Sequence, residues 1–283
     1  MHDERLRKLL TALLGVIFVV SICIALSKAV DKKRGGQAYQ AALDIAAAPN
    51  SATAAEVPPP EVTVPASTQP ETQLVWAPAP VSDDAVLEDM KQINLDALRE
   101  VNPLVVGWIR IPDTQIDYPI VQGEDNEFYL KHDWKGERNS VGAIFMDHAS
   151  SPSLVDYNTL IYGHNMNDGS MFAQLRQYCS SQFFETRRHV YLLTDTGCFR
   201  YDIFSSYLAG VDSPTYGLSF QQRSTREEFL RSALDSSVID AGIEPGIRDR
   251  ILTLSTCSNS GQTTRWVVHA RLKMIQTELP LYE

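Results

Sequence analysis

Ile251-Leu-Thr-Leu-Ser-Thr-Cys257 is followed by Ser-Asn-Ser-Gly-Gln-Thr-Thr264 and then by Arg265-Trp-Val-Val-His-Ala-Arg-Leu272. The first run mixes β-branched and apolar residues and ends in a Ser/Asn/Gly cluster, the pattern of a buried strand leaving into a loop. The second alternates Arg265, Val267, His269 and Arg271 against Trp266, Val268, Ala270 and Leu272, which is the period of a strand. Cys257 therefore sits at the C-terminal edge of one strand, and Arg265 opens the next eight residues later. That arrangement brings a guanidinium within reach of a thiol. The plainer reading makes Cys257 a small buried hydrophobe, as many free cysteines are.

A cysteine nucleophile needs a base to generate thiolate, and the candidates are six histidines. His2 precedes a long apolar run. His132 lies between Lys131 and Asp133, and His189 follows Arg187-Arg188, so both are expected at the surface. His148 follows Met146-Asp147 in a Ser/Pro loop. His269 is mid-strand, four residues and roughly 13 Å along from Arg265. His164 directly follows Leu160-Ile-Tyr-Gly163, so it emerges where a buried strand meets a polar loop, as Cys257 does. Geometry favours His164 and leaves His148 and His269 open. The cysteines Cys23, Cys179, Cys198 and Cys257 show no paired metal-ligand spacing. No glycine-rich phosphate loop is present either, so no metal or cofactor is expected. Cys179 and Cys198 read more naturally as two buried thiols than as a disulfide.

The chain has 283 residues and divides by composition. Residues 1–8 are a charged N-terminus. Residues 9–30 form an apolar run, including Leu13-Leu-Gly-Val-Ile-Phe-Val-Val20, that is long enough to cross a bilayer. A cleaved signal peptide would have a shorter core. Residues 31–82 contain Pro58-Pro-Pro60 and Ala77-Pro-Ala-Pro80, and they read as a disordered Ala/Pro-rich tether holding the domain off the membrane. Residues 83–283 are enough for one domain with a full core. Basic side chains flank the apolar run on both sides, so their count does not orient it. Residues 1–34 hold seven of the 25 Lys and Arg and three of the 35 Asp and Glu, leaving 18 basic against 32 acidic residues, a net −14, on the rest. An acidic domain argues against nucleic acid or anionic lipid as partner. An anchor ahead of a soluble domain is the usual plan of an exported enzyme, which places the domain outside the cell.

Within the domain, Asp83–Arg99 carries Val86, Met90, Ile93 and Ala97 on one helical stripe. Residues 104–111 and 116–121 read as strands joined at Pro112, and 126–130 as a short helix. Gly142–Met146 and Thr159–Tyr162 read as core strands, and Ser170–Tyr178 as an amphipathic helix. His189–Thr194 and Cys198–Leu208 form a hairpin around Asp195-Thr-Gly197. Ser224–Leu234 is a helix with Ser224 and Glu227 spaced as a capping box. About eight short strands with few helices between them predict a mainly β, mostly antiparallel closed barrel.

Thr253-Leu-Ser-Thr-Cys257, with Arg265 downstream and Tyr162-Gly-His164 upstream, resembles the signature of the sortases, membrane-anchored cysteine transpeptidases of Gram-positive bacteria. The resemblance runs from about Ile93 to Leu272. Asn102-Pro-Leu-Val-Val-Gly-Trp-Ile-Arg-Ile-Pro112, Ile116-Asp-Tyr-Pro-Ile-Val-Gln122 and Gly142-Ala-Ile-Phe-Met-Asp147 are most like class B. It implies an eight-stranded sortase-type β-barrel with an N-terminal helix and a helix before the cysteine strand. It also implies that Cys257 attacks the threonine carbonyl of a Leu-Pro-x-Thr-Gly-like or Asn-Pro-x-Thr-like sorting signal. His164 then serves as acid and base, and Arg265 steadies substrate and oxyanion. Asn126, Leu130, Tyr162 and Ser255 match groove positions, and the Thr256–Cys257 backbone adds donors. The partners implied are sorting-signal-bearing surface or pilin proteins, and a peptidoglycan-precursor or lysine amine as acceptor. Ser258, where relatives often carry an acidic residue, and a short Cys-to-Arg loop are departures that bear on which signal is accepted. Two other functions fit the same residues: a tethered binding module with an idle Cys-His-Arg set, and a plain cysteine protease whose acceptor is water. With ordinary pKa values of about 8.5 for Cys and 6.5 for His, the thiolate–imidazolium pair is only about 1% of the neutral pair.

Overall fold

A computed structural model describes residues 2–48, 83–257 and 263–276. Eight strands close into a barrel: β1 (Val105–Arg110), β2 (Asp117–Val121), β3 (Ile144–Met146), β4 (Asn158–His164), β5 (His189–Thr194), β6 (Gly197–Gly210), β7 (Ile251–Cys257) and β8 (Thr264–Gln276), in the order β1-β2-β3-β4-β7-β8-β6-β5, with β5 returning to β1. The expected eight-stranded barrel is thus present. Closure leaves no sheet edge unpaired, so even the three-residue β3 is held on both sides.

Two of the neighbour pairs are parallel, β2 with β3 and β4 with β7. A parallel pair needs a long crossover. That between β2 and β3 carries the short 3₁₀ turn Phe128–Leu130, and that between β4 and β7 carries β5, β6 and helix α5 (Arg223–Ser236). Both crossovers therefore bring side chains to the end of the barrel where β4 and β7 terminate. Phe229, Leu230 and Ala233 of α5 pack on Phe204, Tyr207, Ile251 and Val267, forming a second apolar cluster outside the barrel core.

Helix α1 (His2–Ala46) is continuous. Its apolar part, from Leu13, is wholly solvent-exposed in isolation and long enough to cross a membrane. The tether expected over 31–82 is overturned for its first part. Residues 31–46 stay helical, and Ala38, Tyr39, Ala42 and Ala46 are buried against the domain. Those four recur on one helical stripe, which the alanine-rich composition hid. Trp134 Nε1 donates to the Ala38 carbonyl (2.7 Å), and the Asn94 N–H donates to the Ala46 carbonyl (2.9 Å). Residues 49–82 lie outside the described residues.

The single helix expected over 83–99 is two: α2 (Asp83–Lys91) and α3 (Leu95–Val101). Asn94 breaks it, since its side chain accepts from Ala97 N (2.9 Å) as an N-cap while its backbone serves α1. The Ser224/Glu227 capping box does not form: α5 starts after Gln222 without a side-chain cap, and Glu227 instead pairs with Arg223 (2.6 Å). The amphipathic helix expected over 170–178 is a 3₁₀ segment, Ala173–Cys179, followed by α4 (Ser181–Thr186). Cys198 is buried as expected, but Cys179 is exposed, and both are free thiols.

Candidate active site

The site lies where β4, β7 and β8 end together. β4 and β7 run in register from Asn158↔Ile251 to His164↔Cys257, so the backbones of His164 and Cys257 are direct neighbours. β7 and β8 pair as far as Ser255↔Val267. Continuing that antiparallel register by two residues on each strand brings Arg265 opposite Cys257. Three residues separated in sequence by as much as 101 positions thus converge at one end of the barrel. Ser258 and the loop to residue 262 lie outside the described residues, and of Cys257 the backbone alone is among them.

His164 is buried, at 2% exposure. Its Nε2 lies 2.7 Å from the Leu130 carbonyl. A carbonyl only accepts, so Nε2 carries the proton and Nδ1 keeps the lone pair of the neutral imidazole. Nδ1 is buried and meets no hydrogen-bonding partner among the described residues. The ring thus offers one fixed N–H and one unspent basic nitrogen. Burial lowers the His164 pKa first, the Leu130 carbonyl raises it, and the Arg265 guanidinium lowers it again. The net direction is down, which holds the resting imidazole neutral.

A cleft of about 290 Å³ opens beside this centre, lined by Asn126, Leu130, Phe145, Tyr162, Val211, Tyr216 and Arg265. Of the predicted groove residues, Asn126, Leu130 and Tyr162 are on its surface. Ser255 and Thr256 are beneath it, at 0% and 5% exposure. The Ser255 hydroxyl hydrogen-bonds the Tyr216 hydroxyl (3.0 Å), and Thr256 Oγ1 accepts from Trp266 N (3.1 Å), latching β7 to β8. Neither side chain lines the cleft: consecutive strand residues face opposite sides of the sheet, and Ser255 is engaged by Tyr216 while Thr256 is engaged by the β8 backbone.

Sequence reading missed Asp147. Its carboxylate is buried, with 4% of the side chain exposed. Oδ2 accepts from Tyr162 Oη (2.9 Å) and from Asn126 Nδ2 (2.8 Å), and Oδ1 accepts from Ala149 N (3.0 Å). One buried carboxyl side chain thus holds two cleft side chains that come from different elements. Tyr216, at the end of the 3₁₀ turn Pro214–Tyr216, and Val211 were missed as well. Neither carries a local signal, since both come to the cleft on the β6–α5 connection.

The competing histidines are elsewhere. His148 is half exposed, 3.5 Å from Asp147. His132 is exposed and stacks on Phe128 with ring centroids 3.9 Å apart. His269 is wholly buried in a directed chain of hydrogen bonds. Thr253 Oγ1 donates to Asn158 Oδ1 (2.6 Å), so it must accept from His269 Nδ1 (2.9 Å). His269 Nε2 then accepts from Tyr207 Oη (3.1 Å), which in turn accepts from Thr215 Oγ1 (2.7 Å). Both ring nitrogens are committed, so this histidine is structural.

Residues 109–273 match the Sortase domain family. The chain is 36% identical over 209 residues to sortase B of Listeria monocytogenes, covering 71% of this chain and 84% of that protein. It is 31% identical over 174 residues to sortase B of Staphylococcus aureus, covering 61% of this chain and 71% of that one. Among solved structures, the Staphylococcus aureus sortase B–substrate complex superposes with a TM-score of 0.63 at 31% identity, over 66% of this chain and 87% of that one. Sortase B of B. anthracis, in complex with AAEK2, gives 0.61 at 36% identity, over 66% and 84%. The convergent strand ends and the matched barrel agree: the chain belongs to the sortase family and is a class B cysteine transpeptidase.

Proposed function

We propose that the cleft beside His164 receives a threonine-containing sorting signal, Leu-Pro-x-Thr-Gly-like or Asn-Pro-x-Thr-like, and that Cys257, His164 and Arg265 process it. The observation that supports this most is the His164↔Cys257 register, together with a buried imidazole whose Nδ1 is unspent. The Cys257 thiol gives its proton to Nδ1 of His164, and the thiolate so formed attacks the threonine carbonyl. Arg265, on the cleft wall, donates to the developing oxyanion. The tetrahedral species collapses as the leaving amine takes a proton from His164, giving a thioacyl-enzyme. An incoming amine then loses its proton to His164 and attacks the thioester, so the thiolate leaves and an amide forms. Asn126, Leu130 and Tyr162 hold the signal, with Ser255 and Thr256 supporting the wall from below.

The acceptor is an amine of a cell-wall precursor or of a pilin lysine. The apolar part of α1 anchors the protein in the membrane by a single pass, residues 1–8 lie in the cytoplasm and the barrel lies outside. Since α1 runs unbroken into the domain, the barrel rides on the anchor rather than at the end of a long spacer.

Mass spectrometry of the full chain with a panel of sorting peptides and amines tests this reading. A thioacyl adduct at Cys257, lost in Cys257→Ala and discharged to an amide by one amine class, is expected. An adduct on Cys179 or Cys198 would show the nucleophile misassigned. Release of free acid at every amine concentration would make the protein a hydrolase.

A further inference from the structure

We infer that Tyr39, on the part of α1 that leaves the apolar anchor, is a positioning residue for His164, so that docking of the anchor helix completes the active site. The inference rests on the acid–base role proposed above for His164. Gly142 lies against the Nε2 edge of that imidazole: a Cβ built on Gly142 would stand 2.5 Å from His164 Cδ2 and 2.8 Å from Nε2. Its φ of +66° also favours glycine. The backbone at residue 142 therefore forms the wall that keeps the ring on the Leu130 carbonyl. Tyr39 Oη donates to the carbonyl of that same residue at 2.7 Å.

A second contact reaches the other side of His164. The Tyr39 ring packs edge-on against Tyr118, with centroids 5.2 Å apart. Tyr118 Oη accepts from Met171 N (3.1 Å). Met171 bridges to Asn165, and Phe172 N donates to the His164 carbonyl (2.9 Å). One buried side chain of α1 thus braces both the wall facing the imidazole and the loop that follows it. Helix seating alone does not require this. Trp134 Nε1 to the Ala38 carbonyl, and Gly35 close against Val141, already fasten α1 to the domain without touching Gly142.

The test uses the full chain in detergent or lipid discs, comparing the parent with Tyr39→Phe, Trp134→Phe and His164→Ala. Tyr39→Phe keeps the ring and removes the hydroxyl that holds the residue 142 carbonyl. It should lower kcat about tenfold with KM within about twofold, as expected for a displaced catalytic group. It should also shift the acid limb of the pH–rate profile and the His164 imidazole resonances. Trp134→Phe removes a different anchor contact, the indole N–H on the Ala38 carbonyl, and should lower thermal stability while leaving both pH readouts at the parental position. Parental kcat and pH profile in Tyr39→Phe, beside a dead His164→Ala, would overturn this inference alone. An equal pH shift in Trp134→Phe would also overturn it, by assigning the effect to loose docking. An active His164→Ala would overturn both this inference and the acid–base role on which it rests.

Discussion

Acid should remove stability from this protein through a histidine that takes no part in the reaction. His269 is wholly buried, and burial drives its pKa down to about 3. In the unfolded chain the imidazole titrates near the ordinary value of about 6.5. Between these two values the unfolded state binds a proton that the folded state refuses, so the unfolded state gains as pH falls. Stability is intact above about pH 6.5 and declines below it by about 1.36 kcal/mol per pH unit until the folded pKa is reached. Going from pH 8 to pH 4.5 therefore costs about 3 kcal/mol from this residue alone, a large part of a typical domain's 5–15 kcal/mol. Burial is the cause, and the hydrogen bonds through Thr253, Tyr207 and Thr215 fix the neutral ring, with Nε2 accepting from the Tyr207 hydroxyl. His269→Asn keeps an amide donor near Thr253 with nothing to titrate. Urea unfolding followed by near-ultraviolet circular dichroism, on parent and variant at pH 8 and pH 4.5, measures the difference directly. The parent should lose about 3 kcal/mol more than the variant between the two pH values. Equal losses would refute the neutral, fully buried imidazole on which the reasoning stands.

Three further outcomes follow from the site. His164→Ala should slow transpeptidation by about 10²–10⁴-fold, while His148→Ala and His269→Asn at pH 8 stay within a few-fold of the parent, since among the described histidines only His164 has a free basic nitrogen beside the cysteine strand. Arg265→Lys should be nearly as slow as Arg265→Ala, at least ~10²-fold below the parent, because a planar fork rather than a point charge suits the oxyanion; rescue by lysine, with Cys257 alkylation keeping its pH dependence, would instead assign Arg265 to thiolate stabilisation. Asp147→Asn replaces one of the two carboxylate oxygens that hold Tyr162, Asn126 and Ala149 with a donor, and should raise KM for the sorting peptide more than it lowers kcat, with a stability loss of about 1–3 kcal/mol in urea titration; an unchanged KM would remove Asp147 from the cleft's support.

Much of the site was legible in sequence because its chemistry sits at strand ends. Cys257 and His164 each close an apolar run at a polar loop, and alternation in Arg265–Leu272 marked the following strand. The barrel was legible for the same reason: short runs of period two, cut by turn residues, leave few other ways to bury their faces. The apolar run at the N-terminus and the acidic remainder also follow from composition alone. Pairing was not legible. Nothing local states that β4 lies parallel to β7 rather than to another strand, yet that register sets His164 beside Cys257. Ser255 and Thr256 were expected in the groove, but both are buried, Ser255 against the Tyr216 hydroxyl and Thr256 against the β8 backbone. Asp147 looks like any loop carboxylate until folding buries it between Asn126 and Tyr162, which come from a crossover and a strand. Residues 31–46 were misread because Ala and Gly composition does not distinguish a tether from a helix whose small stripe has a partner surface. Tyr39 was silent for the same reason: its meaning lies in a carbonyl 103 residues away, brought to it only by tertiary contact.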